Sequence, residues 1–343
     1  MGILRSGGSV GLDIDTGIIR VVELKGKAKT VNLSAAGRIE IPSHVVEEGM
    51  VTDIDTVADA LKELWKDARI SSRDVTVGIS NQGVLMRMAR FPKLLEKNLA
   101  KAVRFQVGDY FPIPLDQLVL DFSLTGEVEG ENGSEMEVLL VAARRDILER
   151  CLGALSAASL RPLVVDASSL ALLRTLPEDR QSGNVALLDI SNGRNGSLLI
   201  AEKGVPRLAR VISQSPYDRE MELIKGSREL VATTIDDDQE QIIDHRYFDE
   251  WVMALANEVR SSIGYYMSQR NTESVGTVIL SGRGARFESL PVKLEEEMDI
   301  SVEIIKPLVR LNGPVSGNYS FINNEEPDFA VSIGLALRGL ESR

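Results

Sequence analysis

The sequence predicts an α/β protein built from two lobes, each with its own buried sheet. A chain of 343 residues is too long for one ordinary core. Apolar strand patterns alternate with amphipathic helix patterns along the chain, which is typical of α/β folds. A strand-turn-strand pattern with an aspartate at its bend also occurs twice, about half a chain apart. We therefore expect a duplicated architecture in which each half contributes one acidic hairpin to a shared cleft.

The composition excludes several classes of function. The formal charge of −12 predicts repulsion of nucleic acid and anionic lipid, and the densest basic pieces, at residues 144–145 and 283–286, are short. The single cysteine cannot form a disulfide within the chain. With only two histidines beside it, the composition disfavours a zinc site. No apolar run is long enough to span a bilayer, and the N-terminus lacks the apolar stretch of a signal peptide. We therefore expect a cytoplasmic protein without membrane insertion.

The first acidic hairpin pattern lies near the N-terminus. An apolar strand ends near Asp13, a tight turn is expected at Thr16 and Gly17, and a second strand follows at 18–24. Apolar spacing then predicts further elements up to the middle of the chain. They are a helix at 56–69, a strand at 75–80, a helix from Leu95 that ends before Pro112, a polar loop at 126–135, a strand at 137–143, a helix through a buried Cys151 and a strand at 163–166.

The second acidic hairpin pattern begins with an apolar strand at 185–190 that contains Asp189, followed by a Gly- and Asn-rich turn and a strand at 197–201. Residues 213–247 are polar and weakly periodic, which predicts a short subdomain or a loop. The remaining elements follow from apolar spacing. They are a long helix from Trp251 to Tyr266, the strand TVILS, the turn GRGARFESL that opens another helix, a strand at 302–305 and a C-terminal helix at 327–340.

Two acidic hairpins and a glycine-containing strand-to-helix turn are the kinds of part that nucleotide folds use. Backbone N–H groups approach the phosphates, and carboxylates hold Mg²⁺ through water. Each aspartate is equally expected to cap or solubilise its turn, which leaves the two interpretations of Asp13 and Asp189 open. The chain has neither a G-x-x-x-x-G-K-[ST] loop nor a complete G-x-G-x-x-G, which disfavours P-loop and dinucleotide enzymes.

Six stretches spread over nearly the whole chain carry a family resemblance. They are GLDIDTGIIRVVEL, EGMVTD, AVRFQVGDYFPIPLDQLVLDF, EVRSSIGYY, SGRGARFESL and FAVSIGLALRGL. In these stretches the chain resembles the type IV pilus assembly protein PilM family and its actin-like relatives such as FtsA. The resemblance implies a two-lobed actin-like (duplicated ribonuclease-H-like) fold. It also implies a first lobe at 1–175 with an inserted α+β subdomain at about 35–160, and a second lobe at 176–343 with a shortened subdomain at about 213–247.

The resemblance further implies a site for ATP and Mg²⁺. Matching motifs place Asp13 and Thr16 in the first phosphate hairpin, Asp189 in the second, Glu258 beside the ribose, and Gly282 with Gly284 at the adenosine turn, with Asp13 and Asp189 nearest the metal. The chain departs from the family pattern at three places where glycine is usual, namely Asp15, Ser191 and Arg283. A side chain there repels or blocks phosphate, so we expect weakened or lost nucleotide binding and no catalytic residue.

The function that the resemblance implies is that of a cytoplasmic scaffold at the inner face of the inner membrane. It would dock the N-terminal tail of a PilN-like inner-membrane partner, and self-association is left open. One alternative is an active Mg-ATP-binding ATPase or kinase-like member of the superfamily. Another is a type II secretion or FtsA-like envelope scaffold. The secretion homologue usually continues into a membrane span, and FtsA usually ends in an amphipathic helix. The sequence ends at LALRGLESR, and we expect neither feature here.

Overall fold

Two five-stranded sheets form the framework of the protein. In the first sheet, β1 (Gly8–Asp15), β2 (Ile18–Lys27) and β3 (Thr30–Glu40) form an antiparallel meander. Two further strands, β6 (Asp74–Ile79) and β10 (Arg161–Ala167), extend the sheet in parallel on the other side of β1. The computed structural model describes residues 8–27, 30–79, 83–130, 133–191, 195–213, 237–269, 273–313, 315 and 317–341.

The second sheet repeats this arrangement. Its meander consists of β11 (Asn184–Asp189), β12 (Gly196–Glu202) and β13 (Val205–Ile212). The strands β14 (Thr277–Ser281) and β15 (Ser301–Ile304) continue it in parallel from β11. The orders β3-β2-β1-β6-β10 and β13-β12-β11-β14-β15 are equivalent, strand for strand. The predicted duplication and both predicted acidic hairpins are therefore confirmed.

A separate three-stranded unit, residues 84–144, lies in the chain between β6 and β10. Its sheet has the order β7-β9-β8, with β7 at Val84–Pro92, β8 at Leu118–Gly130 and β9 at Gly133–Arg144. Helix α2 (Glu96–Tyr110) packs on one face of this sheet. The opposite face packs against the core of the first sheet, and Glu137 on β9 is paired with Arg207 on β13.

The remaining elements cover the sheets. They are β4 (Val46–Glu47), β5 (Met50–Val51), α1 (Ile54–Asp67), α3 (Arg145–Ala157), α4 (Ser168–Thr175), α5 (Glu178–Gln181), α6 (Asp237–Met267), α7 (Leu290–Met298), α8 (Ile322–Glu325) and α9 (Ala330–Glu341). Helices α1 and α3 share the core of the first sheet, whereas α6 and α7 share that of the second. Cys151 on α3 is buried, as predicted. No helix among the described ranges has both the length and the apolar character that a bilayer span needs.

Helices α4 and α9 join the two halves. Residues of α4 share one buried cluster with the first sheet and with inward side chains of β11 and β12. Helix α9, although it is C-terminal, packs on the first sheet: a Cβ added at Gly11 would lie 2.0 Å from the Ser332 carbonyl oxygen. At Gly334 an added Cβ would lie 2.0 Å from the Ala171 carbonyl oxygen of α4. These helices therefore approach one another at the distance that only glycine permits.

Several sequence predictions need correction. Residues 126–135 were predicted as a loop, but β8 and β9 continue to Gly130 and from Gly133 as a charged two-stranded ribbon. The alternation of Val128 and Met136 with glutamates is a strand pattern, which the polar and glycine-rich composition of the segment hides. Strands β3, β7, β8 and β13 were not predicted.

The second half differs in two places. Helix α6 begins at Asp237, well before Trp251, so only residues 214–236 of the predicted subdomain at 213–247 lie outside the described residues. After β14 the chain forms a short 3₁₀ turn at Arg283–Arg286, and the next helix begins only at Leu290. The lobe limits 1–175 and 176–343, and the limits of the inserted subdomain, stay predictions.

The close approach of α4 and α9 predicts opposite effects for the same substitution at two helical glycines. We expect Gly334→Ala to lower the free energy of unfolding by about 3 kcal/mol, because the added methyl group meets the Ala171 backbone. At Gly264 on α6, an added Cβ has no heavy atom within 4 Å, so Gly264→Ala should be neutral or stabilising by up to about 1 kcal/mol. Urea denaturation of both variants checks this, and equal effects would contradict the packing of α9.

Candidate functional site

The first acidic hairpin holds a buried ion pair at its end. Asp13 on β1 lies directly opposite Arg20 on β2, so the two side chains share one face of the sheet. The Arg20 Nη1 atom lies 3.1 Å from Asp13 Oδ2 and 3.6 Å from Asp15 Oδ2. The Arg20 side chain is only 3% exposed. The main-chain N–H of Thr16 donates to Asp15 Oδ1 over 2.8 Å, which fixes the second carboxylate at the turn.

The second acidic hairpin brings Asp189 towards the same guanidinium. Asp189 is the last residue of β11, is buried, and accepts a hydrogen bond from the Ser191 hydroxyl. Burial raises the pKa of Asp189, against the hydrogen bond from Ser191 and the charge of Arg20. The charge of Asp189 also acts on Asp13 and Asp15. The ends of the two hairpins therefore meet in one electrostatic cluster.

Four carboxylates surround this one guanidinium. Burial disfavours the charged form of Arg20 and acts to lower its pKa. The charges of four carboxylates outweigh burial and raise the pKa; they belong to Asp13, Asp15, Asp328 and Asp189. Burial raises the pKa of the Asp15 carboxyl to about 7. The charge of Arg20 opposes this shift, and the charges of the neighbouring carboxylates add to it. Asp13 and Asp15 both lie against Arg20, and one cation cannot fully balance two buried carboxylates, so Asp15 keeps its proton up to about pH 7.

A second ion-pair network lies beside this cluster. Arg38 on β3 is the cross-strand neighbour of Arg20 and pairs with Glu325. Arg286, which follows β14, lies 3.2 Å from Asp328 and 3.9 Å from Glu325 through its Nη1 atom. Because Arg38 belongs to the first sheet and Arg286 follows a strand of the second, the segment 325–328 is tied to both.

The glycine turn after β14 packs against its own chain. The Gly284 N–H donates to the Ile190 carbonyl over 2.9 Å, and a Cβ added at Gly284 would lie 2.3 Å from Ile190 Cγ2. Gly282 has φ of 76°, and its N–H donates to the Pro327 carbonyl over 3.1 Å. Both glycines are thus required by contacts within the protein. Arg283 between them is half-buried, and burial lowers its pKa.

The candidate residues named from the sequence are only partly brought together. Asp13, Thr16, Asp189 and Gly282 lie at or beside the cluster: a Cβ added at Gly282 would be 2.8 Å from Asp189 Oδ1. Glu258 lies on α6, where its Oε1 accepts a hydrogen bond from the Ser213 N–H over 3.1 Å. Within the described residues no group of three His, Cys, Asp or Glu side chains is arranged to hold a metal ion.

Sequence reasoning missed Arg20, Asp328 and the Arg38–Glu325 pair. A signal for Arg20 was available, because residues 13 and 20 are symmetric about the turn between Asp15 and Ile18 and must pair across the hairpin. Asp328 had no such signal, since it reaches the cluster from a distant part of the chain.

A cavity of about 580 Å³ lies where the three-stranded unit meets α3. It is lined by Pro112, Ile113, Pro114, Asp116, Gln117, Arg144, Arg145, Asp146 and Glu149. Arg145 fastens its two walls: Nε donates to the Asp116 carbonyl over 2.9 Å and Nη2 to the Leu118 carbonyl over 3.1 Å. The cavity is therefore preformed, and its lining combines apolar groups with acidic and basic side chains.

Comparison with known proteins gives a family and a fold. A family model described as type IV pilus assembly protein PilM matches residues 11–204 and 243–340. A solved structure described as the PilM-PilN type IV pilus biogenesis complex is 27% identical, with a TM-score of 0.79 over 98% of this chain and 99% of that chain. The ethanolamine utilization protein EutJ from Carboxydothermus hydrogenoformans is similar in fold, with 14% identity and a TM-score of 0.54 over 98% and 91%. With the duplicated sheets, these matches show the predicted actin-like fold.

The crowding of carboxylates around Arg20 predicts a pH-dependent stability difference between the native chain and Asp15→Asn. A raised pKa means that the folded protein keeps a proton that the unfolded chain releases above its ordinary value of 3.8. Native stability should therefore fall relative to the variant as the pH rises from about 4 to about 7. The shift limits this change to about 4 kcal/mol. Urea denaturation at several pH values measures it, with exposed Asp67→Asn as the control, and a constant difference would contradict the burial of a shared proton.

Proposed function

We propose that this chain, which belongs to the type IV pilus assembly protein PilM family, is a scaffold that docks the N-terminal tail of a PilN-like inner-membrane protein. The observation that carries the proposal is the similarity to a chain of the PilM-PilN complex, which covers 98% of this chain and 99% of that chain, together with the family match. The chain would act in the cytoplasm, held at the inner face of the inner membrane by its partner.

The cavity beside α3 is the proposed docking site. Its volume of about 580 Å³ suits a few side chains of an extended segment. Ile113 and the two flanking prolines supply an apolar wall. Arg144 pairs with Asp146 and Arg145 donates to main-chain carbonyls, whereas Asp116 and Glu149 supply negative charge. A tail with an apolar anchor next to a basic group or an amino terminus is complementary to this lining.

Rigidity of the cavity supports its assignment. The Arg145 side chain connects the start of α3 to the backbone at the start of β8, so neither wall must reorganise when a tail enters. A preformed site lowers the ordering cost of capturing a flexible peptide. Such a site suits a scaffold that must hold a partner without a chemical step.

Docking is tested by titrating a fluorescent peptide of the partner's N-terminal tail with the full chain. We expect saturable binding that Ile113→Glu weakens by about tenfold or more, because a charge enters the apolar wall. The matched control is Val309→Glu, which places the same charge at an apolar residue that is 61% exposed elsewhere. Absence of saturable binding, or equal binding by both variants, would contradict docking at this cavity.

We further propose that nucleotide binding is weakened or lost. The parts of the cleft fit Mg-ATP poorly: Asp15 adds a carboxylate to the site, and Arg20 is engaged by Asp13 and Asp15. Two Arg20 nitrogens, Nε and Nη2, are buried without a hydrogen-bond partner among the described residues, so some capacity to meet an anion persists. The surrounding carboxylates outweigh that capacity, because phosphate would face several negative charges in a buried site.

Calorimetric titration with ATP and Mg²⁺ tests this second proposal. We expect no saturable binding by the native chain at low millimolar nucleotide. Asp15→Gly should bind at least about tenfold more tightly than the native chain, because it removes one repelling carboxylate and releases Arg20. Asp15→Glu keeps the charge and should behave like the native chain. Tight binding with turnover by the native chain would instead favour the ATPase alternative.

A further inference from the structure

The outward face of α2 carries a cationic stripe that the net charge of the chain conceals. Leu99, Val103 and Val107 point into the three-stranded unit. On the exposed side, Lys97, Lys101 and Arg104 follow one another at spacings of four and three residues, so they line one side of the helix. The structure places no acidic partner on any of the three within the part of the chain that it describes.

An exposed aromatic side chain lies next to this stripe. Phe105 is 89% exposed, the largest value among the large hydrophobic residues that the structure describes as exposed. It follows Arg104 directly and is four residues from Lys101, which makes it a neighbour of both. The described surface therefore combines an almost fully exposed aromatic ring with three neighbouring cations, in a chain of charge −12.

We propose that this cationic stripe and Phe105 form a peripheral contact with an anionic lipid bilayer. Each lysine or arginine near an anionic membrane surface contributes about 1 kcal/mol, and an aromatic ring is favourable at the depth of the headgroups. The remainder of the chain carries a net negative charge that the same surface repels, which favours approach through the α2 face.

The position of α2 agrees with such a contact. Helix α2 lies on the side of its sheet that faces away from the core of the first sheet, and the four side chains of the proposed contact are exposed in the part of the chain that the structure describes. It ends at Tyr110, two residues before the cavity wall begins at Pro112. A duplex nucleic acid is disfavoured, because Phe105 contributes nothing to phosphate contacts and three cations are few against the charge of the whole chain. The inference does not depend on the proposed tail docking.

The test uses the full chain alone, without partner or peptide. Sedimentation with phosphatidylcholine vesicles that contain about one third phosphatidylglycerol should show binding at low salt, and pure phosphatidylcholine vesicles should show little. Lys97→Glu with Lys101→Glu should lower the partition by at least about tenfold. The matched control is Lys62→Glu with Lys66→Glu, which has the same spacing and charge change on α1 and should bind like the native chain.

A second variant reports the ring directly. Phe105→Trp should show a blue shift in fluorescence on anionic vesicles, beyond any change of the native chain, because the indole enters the interface. The proposal would be overturned if the native protein did not bind anionic vesicles, or if both double variants lost vesicle binding equally. Binding of duplex DNA without binding of vesicles would also overturn it. Thermal unfolding of each variant separates loss of contact from loss of fold.

Discussion

The burial of one guanidinium between two acidic hairpins is the constraint on which the structure depends. A charge with 3% of its side chain exposed must be balanced by opposite charges nearby, since an unpaired buried ion is strongly destabilising. Asp13 and Asp15 come from the first hairpin, Asp189 from the second and Asp328 from the segment before α9. Arg20 contacts Asp13 and Asp15, and the charges of Asp189 and Asp328 act on it from the second sheet and from the C-terminal segment, so one buried cation is coupled electrostatically to both halves of the chain.

The charged cluster around Arg20 and the ion pairs beside it explain how an actin-like fold can act as a rigid scaffold. In the described structure the ion pairs of Arg38 and Arg286 tie the segment 325–328 to both sheets, Arg20 is paired within the first hairpin, and the glycine turn at 282–284 packs against Ile190. The three-stranded unit is held to β13 by the Arg207–Glu137 pair, so its position follows that of the sheets. The cationic face of α2 belongs to this unit, and the proposed docking cavity lies where the unit meets α3. A rigid relation between them would set the direction in which a membrane-tethered tail reaches the scaffold.

Local patterns determined which parts could be predicted from the sequence. Asp13 and Asp189 were found because each follows a buried apolar run and precedes a turn, and α1 was found because its apolar spacing is regular. The β8–β9 ribbon was missed because its solvated glutamates have loop-like composition. The helix that carries the cationic stripe was predicted, but the stripe was not singled out because exposed charged residues are usual on the outer face of a helix. Asp328 and Glu325 join the cleft through tertiary packing, which no local pattern encodes.

The central claim is that Arg20 stays paired with the carboxylates of its hairpin and that the protein acts as a scaffold without nucleotide bound between the two hairpins. A crystal structure of the chain grown with excess Mg²⁺ and a non-hydrolysable ATP analogue tests it most directly. Our account predicts a cleft without nucleotide density, in which the guanidinium of Arg20 still contacts Asp13 and Asp15. Density for the analogue, with Arg20 turned onto its phosphates and the two hairpins moved apart, would contradict it.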